Sequence, residues 1–476
     1  MTQSDNRNEN EKMSQSRQNN TPFWLLLIGI VLILMSGSLL TEGMFVDGVT
    51  YASISRNMAE GQGTFWNPHY TLKLYPEFRQ HPPLALGMEA LMFKALGDHL
   101  YVERLYSVLT FIISGLLIVA IWKRTTNRPS QAWLSVLFWI AMPLVAWSAT
   151  NNLLENTMMV FVLLSVWLMI LSYQKNTKVW LLLAGISLFS AFLSKGFTGL
   201  FPLVFPTIYC LFDDKRHWIQ GPIDTLLLMV TLGVLTGMMF LFFPASLAYL
   251  KDYLNMQVIG GGLHETTVST RFYIVFSLLQ QLIIPAIFVA ILFVIRKITK
   301  TNSIKVFEFS LDRKWFLIFL ILGLCGVLPI MLSVKQRDFY MLAALPFFAL
   351  AFGHFSLAMA NMILLNVNEK HWKGRLIGSI AVLLLGVVLN VCHIGKYGRD
   401  EALIGDVKKR IAEADGKTII DISPEEYTNW AAHAYFMRYG KISLNPTEQQ
   451  APPRRGDTIV TVGRDLRQHP DRQNNN

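Results

Sequence analysis

Apolar residues in this chain gather into long runs separated by short charged segments. Runs close to the roughly 20 residues that a helix needs to cross a bilayer recur near 22–42, 103–123, 131–149, 153–173, 179–195, 197–212, 223–244, 272–295, 314–333, 338–362 and 374–391. The pattern predicts about eleven membrane-spanning helices. Two half-apolar stretches lie between the first two runs. In the first, Asp47 opens a helical pattern that puts Tyr51, Ile54 and Met58 on one face and closes at Gly61, as expected of a helix lying along the membrane surface. In the second, HPPLALGMEALMFKALGDH (81–99), the apolar part after Pro83 is too short to cross and carries Glu89 and Lys94. Both read as interfacial helices on the outer leaflet. From residue 392 the chain turns polar. DEALIGDVKKRIAEA and PEEYTNWAAHAYFMRY look helical, whereas KTIIDI and DTIVTV look like strands.

The expected fold is therefore an all-α polytopic membrane protein with interfacial amphipathic helices and a small α/β C-terminal segment. Residues 1–21, rich in Asn, Gln and Ser, read as a disordered cytoplasmic lead, 22–391 as the transmembrane body, and 392–476 as a small soluble tail on the outer face. No internal repeat is visible.

Composition agrees. Of 476 residues 52% are hydrophobic and 16% charged, and the mean hydropathy is +0.37; these values suit a membrane protein rather than a soluble core. Cys210, Cys325 and Cys392 fall inside or at the end of apolar runs without metal-ligand or disulfide spacing, which reads as packing. The net charge of +10 raises the question of nucleic acid. However, the basic residues cluster in Lys123–Arg128, Lys175–Lys178, Asp213–His217, Arg296–Lys314 and Lys370–Arg375, all on one side of the span count. The positive-inside rule makes that side the cytoplasm, and no nucleic-acid partner is expected.

Ionisable residues at span ends are costly and mark candidate sites. The span count brings Asp47, Glu155, Lys195, His264, Arg271, Lys335 and Arg337 to the outer face. There, a lipid-linked sugar phosphate would need a carboxylate to act as base for the acceptor and cations to steady the departing phosphate. Asp47 suits the first role. Lys195, Arg271, Lys335 and Arg337 suit the second, with arginine able to grip a phosphate in bidentate fashion.

FVDGVTYASISRNMAEGQG, EFRQHPPL and YVERLYSVL resemble the first outer loop of the GT-C membrane glycosyltransferases of glycosyltransferase family 39, which includes protein O-mannosyltransferases and lipid A aminoarabinose transferases. LSKGFTGLFP (193–202) is similar to the family's Lys-Gly segment, and SVKQRDFYMLAALP (333–346) resembles its late-span pattern. The resemblance covers roughly 20–390. It implies that Asp47 is the catalytic base or acceptor-positioning carboxylate, and that Lys195, Lys335, Arg337 and Tyr340 approach a polyprenyl phosphate. Arg271 and His264 extend that set by sidedness and a looser likeness. Two departures stand out: the second acid of the family's Asp-Glu pair is Gly48, leaving Glu155 as the possible second carboxylate, and His81 replaces the residue that often precedes Pro-Pro. Tyr51, His81 and His264 are candidate acceptor or loop contacts.

The sequence is thus read as an inverting glycosyltransferase of a bacterial plasma membrane, with its site facing the exterior. It would move a sugar from a polyprenyl-phosphate donor to a lipid, glycan or protein acceptor. No cofactor is expected and no metal ligand is assigned, although divalent-metal assistance stays open. The alternative is a secondary transporter or lipid flippase, which would favour paired repeats and charges at mid-depth.

Overall fold

The computed structural model describes residues 20–261, 267–298, 313–366 and 372–447. Most of the expected N-terminal lead, His264 and the strand-like DTIVTV lie outside the described residues.

The chain begins with α1 (Thr21–Met35) and α2 (Val46–Ala59). A small antiparallel hairpin, β1 (Gly63–Thr64) and β2 (Asn67–Pro68), leads to α3 (Leu84–Leu96) and α4 (Val102–Thr125). The bent pair α5 (Ala132–Ile140) and α6 (Pro143–Ala149) precedes α7 (Leu154–Lys175) and α8 (Lys178–Lys195). A 3-10 segment, Phe197–Val204, runs into α9 (Phe205–Leu211), and α10 (Gln220–Phe242), α11 (Ala245–Tyr253) and α12 (Tyr273–Ile298) follow. The transmembrane body ends with α13 (Arg313–Val327), α14 (Leu345–Asn366) and α15 (Trp372–Val391).

Every one of the predicted apolar runs becomes helical, but the spans differ in kind. Among the described residues eight helices are long and apolar enough to cross a membrane, or nine if the α5–α6 pair counts as one span, and α1 and Phe197–Leu211 are shorter. The run at 131–149 does not make a straight span: it bends by 88°. Met142 adopts an extended conformation before Pro143, which has no N–H to continue the helical ladder. Pro202 likewise lies inside the 3-10 segment 197–204, and Pro206 stands in the first turn of α9 just after it.

The first and last spans are neighbours. A Cβ at Gly29 would lie 2.7 Å from the backbone nitrogen of Leu383, so α1 and α15 approach closely through their glycines. Asn390 closes the contact by donating to the Leu32 carbonyl at 2.7 Å. The membrane core is led by Trp122, Phe138, Trp139, Phe319, Phe347 and Phe348, all fully buried.

Beyond α15 come α16 (Glu401–Glu413), β3 (Ile419–Ile422), α17 (Pro424–Tyr427), α18 (Trp430–Gly440) and β4 (Ser443–Pro446). β3 and β4 pair in parallel, Ile419 opposite Ser443 and Ile422 opposite Pro446, with the two helices forming the crossover. The C-terminal segment packs into the loop region. Met44 and Val49 share an apolar cluster with Ile404, Val407, Tyr435, Phe436 and Leu444. One expectation changes as a result: α2 is not half-exposed at a membrane surface, because every residue from Gly48 to Asn57 is buried. α18 and α3 cover it instead. The helix α3 keeps its interfacial character, with Leu91 and Leu96 exposed and Leu86, Ala90 and Phe93 buried.

Candidate active site

α7 has 22 residues and is therefore about 33 Å long, so its two ends lie on opposite sides of the body. The candidate site is at its N-terminal end. Glu155 lies in the first turn of α7, and its carboxylate is 3.2 Å from Lys195 Nζ at the C-terminal end of α8. The two side chains are only 1% and 8% exposed. Neither Glu155 oxygen has a well-formed hydrogen bond among the described residues, so the ion pair is its principal compensation. A buried pair of this kind holds both groups in place, because removing either leaves an uncompensated charge.

The ammonium of Lys195 gathers further groups. It lies 3.5 Å from the Tyr51 hydroxyl and 3.5 Å from His81 Nε2, and 5.6 Å from the centre of the Tyr51 ring. Burial, then the charges of Lys195 and Lys335, hold the His81 imidazole well below its ordinary value, so it is neutral near pH 7 and can accept from Lys195. Burial, then Asp47, Glu155 and Tyr340, push the Tyr51 phenol well up, so it stays protonated. His81 is fixed from behind: Tyr249 donates its hydroxyl to the carbonyls of His81, at 2.5 Å, and Phe78, at 3.2 Å.

Asp47 stands one helical turn before Tyr51, half-buried, within electrostatic reach of Tyr51, Tyr70 and Glu155. It is not the cap of its helix. Phe45 holds the cap position, and its backbone N–H donates at 2.9 Å to the side-chain oxygen of Asn151. Asp47 sits in the first turn, where the helix dipole favours an anion. The glycine that follows also has a reason. A Cβ at Gly48 would meet the Asn151 carbonyl oxygen at 2.1 Å, so the second acid of the family pattern has no room here.

A second loop brings in the late-span residues. Gln336 pins it: its Nε2 donates to the carbonyls of Arg271, at 3.0 Å, and Ser333, at 2.8 Å, while its Oε1 accepts from the Ile274 N–H at 2.9 Å. Its own N–H donates to Thr267 at 2.9 Å. Lys335 and Arg337 flank this buried anchor, both half-buried. Lys335 Nζ reaches Gln257 at 3.1 Å and acts electrostatically on His81, and Tyr340 acts on Tyr51. Arg271 joins the neighbourhood through its backbone, and its side chain is exposed.

Several groups here went unassigned in the sequence. Glu89 is buried on α3 and accepts from Ser55 of α2 at 2.8 Å and from Asn152 at 2.7 Å. Asn152, in a left-handed conformation with φ 48°, also donates to the Gly48 carbonyl at 3.2 Å. Burial pushes the Glu89 carboxyl up to about 8. The only early signal was an acid in a short apolar helix. Arg438 of α18 was not foreseen either: it grips Glu103 with two 3.0 Å hydrogen bonds and Asp98 with one of 2.7 Å. Arg56 of α2 meets the same Asp98 at 3.3 Å and donates to the Met437 carbonyl at 2.9 Å. The helix carrying Asp47 is thus tied to both α3 and the C-terminal segment.

With this geometry in hand, the overall architecture can be compared with solved structures. ArnT from Cupriavidus metallidurans, in a crystal structure bound to undecaprenyl phosphate, superposes with a TM-score of 0.51 at 14% identity, over 88% of this chain and 74% of ArnT. The chain shares the polytopic membrane fold of that structure. The apo structure of the same ArnT gives a TM-score of 0.50 with the same identity and coverage. The oligosaccharyltransferase of Archaeoglobus fulgidus is more distant, with a TM-score of 0.46 and 11% identity over 91% of this chain and 65% of that one. Residues 80–242 match the sequence model of the dolichyl-phosphate-mannose-protein mannosyltransferase family. No curated protein sequence matches the chain significantly. The matched segment contains His81, Glu89, Glu155 and Lys195, whereas Asp47 and the 333–340 loop lie outside it.

Proposed function

We propose that this GT-C protein transfers a sugar from a polyprenyl-phosphate donor to an acceptor at the outer membrane surface. The observation that carries the reading is the buried Glu155–Lys195 pair, which contacts Tyr51 and His81 beside the half-buried carboxylate of Asp47. The bound undecaprenyl phosphate of the ArnT relative supports the donor class. The transporter alternative gains no support from the comparisons. The charges also gather at helix ends rather than at mid-depth.

The reaction is a single displacement. Asp47 takes the proton of an acceptor hydroxyl or amine as the new bond to the anomeric carbon forms. The bond from that carbon to the phosphate oxygen breaks with inversion, and the polyprenyl phosphate leaves with the electron pair. Lys195, Lys335 and Arg337 stabilise the charge of the leaving phosphate, and Tyr340 borders it. Glu155 is a positioning residue in this scheme: it is too buried to meet an acceptor and instead holds Lys195 in place. Tyr51 and neutral His81 contact the sugar or acceptor. Arg271, with its exposed side chain, belongs to the mouth of the site. The acceptor is a lipid, glycan or protein of the cell envelope, and the membrane is a bacterial plasma membrane with the site facing outward.

The test is mass spectrometry of envelope lipids and glycoconjugates from cells lacking the protein, complemented with wild type or Asp47→Asn. The proposal expects wild type alone to restore a sugar-sized mass increment while the polyprenyl-phosphate-sugar donor falls. An identical profile from both versions would remove Asp47 from the chemistry.

A further inference from the structure

The far end of α7 holds a second polar concavity. It is a cavity of about 730 Å³, formed where the ends of α4, α7, α9 and α13 meet the loop at 213–216. Four of its lining side chains are cationic, Arg124, Lys215, Arg216 and Lys314, and one, Asp213, is anionic. This leaves a marked positive excess in a space bordered by the membrane.

Two of the cations are fixed. Lys314 donates to Asp213 at 2.9 Å and lies 4.6 Å from the centre of the Tyr209 ring. Arg216 donates to the Tyr173 carbonyl at 2.6 Å, faces Asp213 at 3.7 Å, and lies 5.0 Å from the centre of the Tyr173 ring. The Tyr173 and Tyr209 rings stack with centroids 4.4 Å apart and planes within 6°, giving the two cations a rigid aromatic support. The other two, Arg124 and Lys215, are exposed and make no ion pair among the described residues. The arrangement combines preset charges with free ones, which is what an anionic ligand requires.

The size narrows the ligand further. The cavity falls within the range of roughly 300–1,000 Å³ typical of small-molecule sites, far more than a bare phosphate ion fills. We propose that this cavity binds an organophosphate anion, supplied by the headgroup of an anionic phospholipid in the adjoining leaflet. Arg124 and Lys215 close on the phosphate, and Arg216 and Lys314 set the field that draws it in. The site is independent of the chemistry at the opposite end of α7.

Native mass spectrometry of the full chain in neutral detergent tests this, with dioleoyl phosphatidylglycerol and dioleoyl phosphatidylcholine as probes. Phosphatidylglycerol adducts should weaken about ten-fold in the Arg124→Gln/Lys215→Gln double variant, while phosphatidylcholine adducts stay unchanged. The control is Lys123→Gln/Arg128→Gln, which removes the same charge from the same face outside the cavity and should leave the adducts intact. Excess glycerol phosphate that fails to compete identifies the lipid as the source; effective competition identifies a soluble organophosphate at the same site. Equal adducts in wild type and the cavity variant, or an equal loss in the control, would overturn the proposal.

Discussion

The two ends of α7 handle charge in opposite ways. At the N-terminal end Glu155 and Lys195 are almost fully buried, paired with each other and surrounded by Tyr51 and His81. In the cavity at the C-terminal end Arg124 and Lys215 are open to solvent, while Arg216 and Lys314 are held. Buried charges have already lost their water and are fixed relative to one another, so they can act on a reacting centre without reorganising. Exposed charges attract ligands from a distance and cost little to replace. On the proposed reading the first end serves chemistry and the second capture.

Several changes would sharpen or break that contrast. The largest stability effect belongs to the buried pair: Glu155→Ala strands Lys195 and should cost about 3–5 kcal/mol, seen as a lower unfolding temperature in detergent. A double change to apolar residues of similar volume, Glu155→Leu/Lys195→Met, should recover most of that stability without activity. If the single and double variants were equally unstable, the pair would not be the organising contact.

Next comes the clamp between the C-terminal segment and the α2–α3 region. Arg438, 3% exposed, bridges Glu103 and Asp98. Burial pushes its guanidinium down, but Glu103 and then Asp98 together outweigh it and hold the group above its ordinary value. Arg438→Ala should cost about 3 kcal/mol and free α18 to early proteolysis. Protection unchanged from wild type would show that the segment docks by its apolar face alone.

Glu89 gives a pH signature. Its folded carboxyl is pushed up to about 8, whereas an unfolded glutamate titrates near ~4.3. The folded state therefore binds the proton more tightly, and stability falls as pH rises between those two values and then levels off. Glu89→Gln should flatten the unfolding temperature between about pH 5 and 8. A slope unchanged from wild type would place the titration elsewhere. The smallest effect belongs to the surface pair Lys408–Glu42, at 2.7 Å. Lys408→Ala should change stability by less than about 1 kcal/mol, and a larger loss would mean that this contact orders the segment.

The spans were legible because each is a long apolar run, and the sidedness because Lys123 to Arg128, Lys175 to Lys178 and Asp213 to His217 punctuate them. The bend at Pro143 could have been read from the proline, but a hydropathy run does not record direction. The Lys195–Glu155 contact was anticipated only as shared sidedness, since the two stand 40 positions apart on separate helices. Gln336 escaped notice because a neutral amide gives no charge signal, although its hydrogen bonds set the loop that carries Lys335 and Arg337. The docking of Tyr435 and Arg438 onto residues 44–103 joins parts of the chain more than 300 residues apart. Periodicity along the sequence cannot see such a contact. It is why α2 looked like a surface helix and proved to be a buried one.

The most direct measurement is single-turnover transfer by purified wild type and Asp47→Asn, with the donor identified from the deletion cells and matched unfolding temperatures as the folding control. The account predicts unchanged stability and donor binding with a transfer rate lowered by at least about 10²-fold. A variant that folds, binds donor and transfers at the wild-type rate would contradict it.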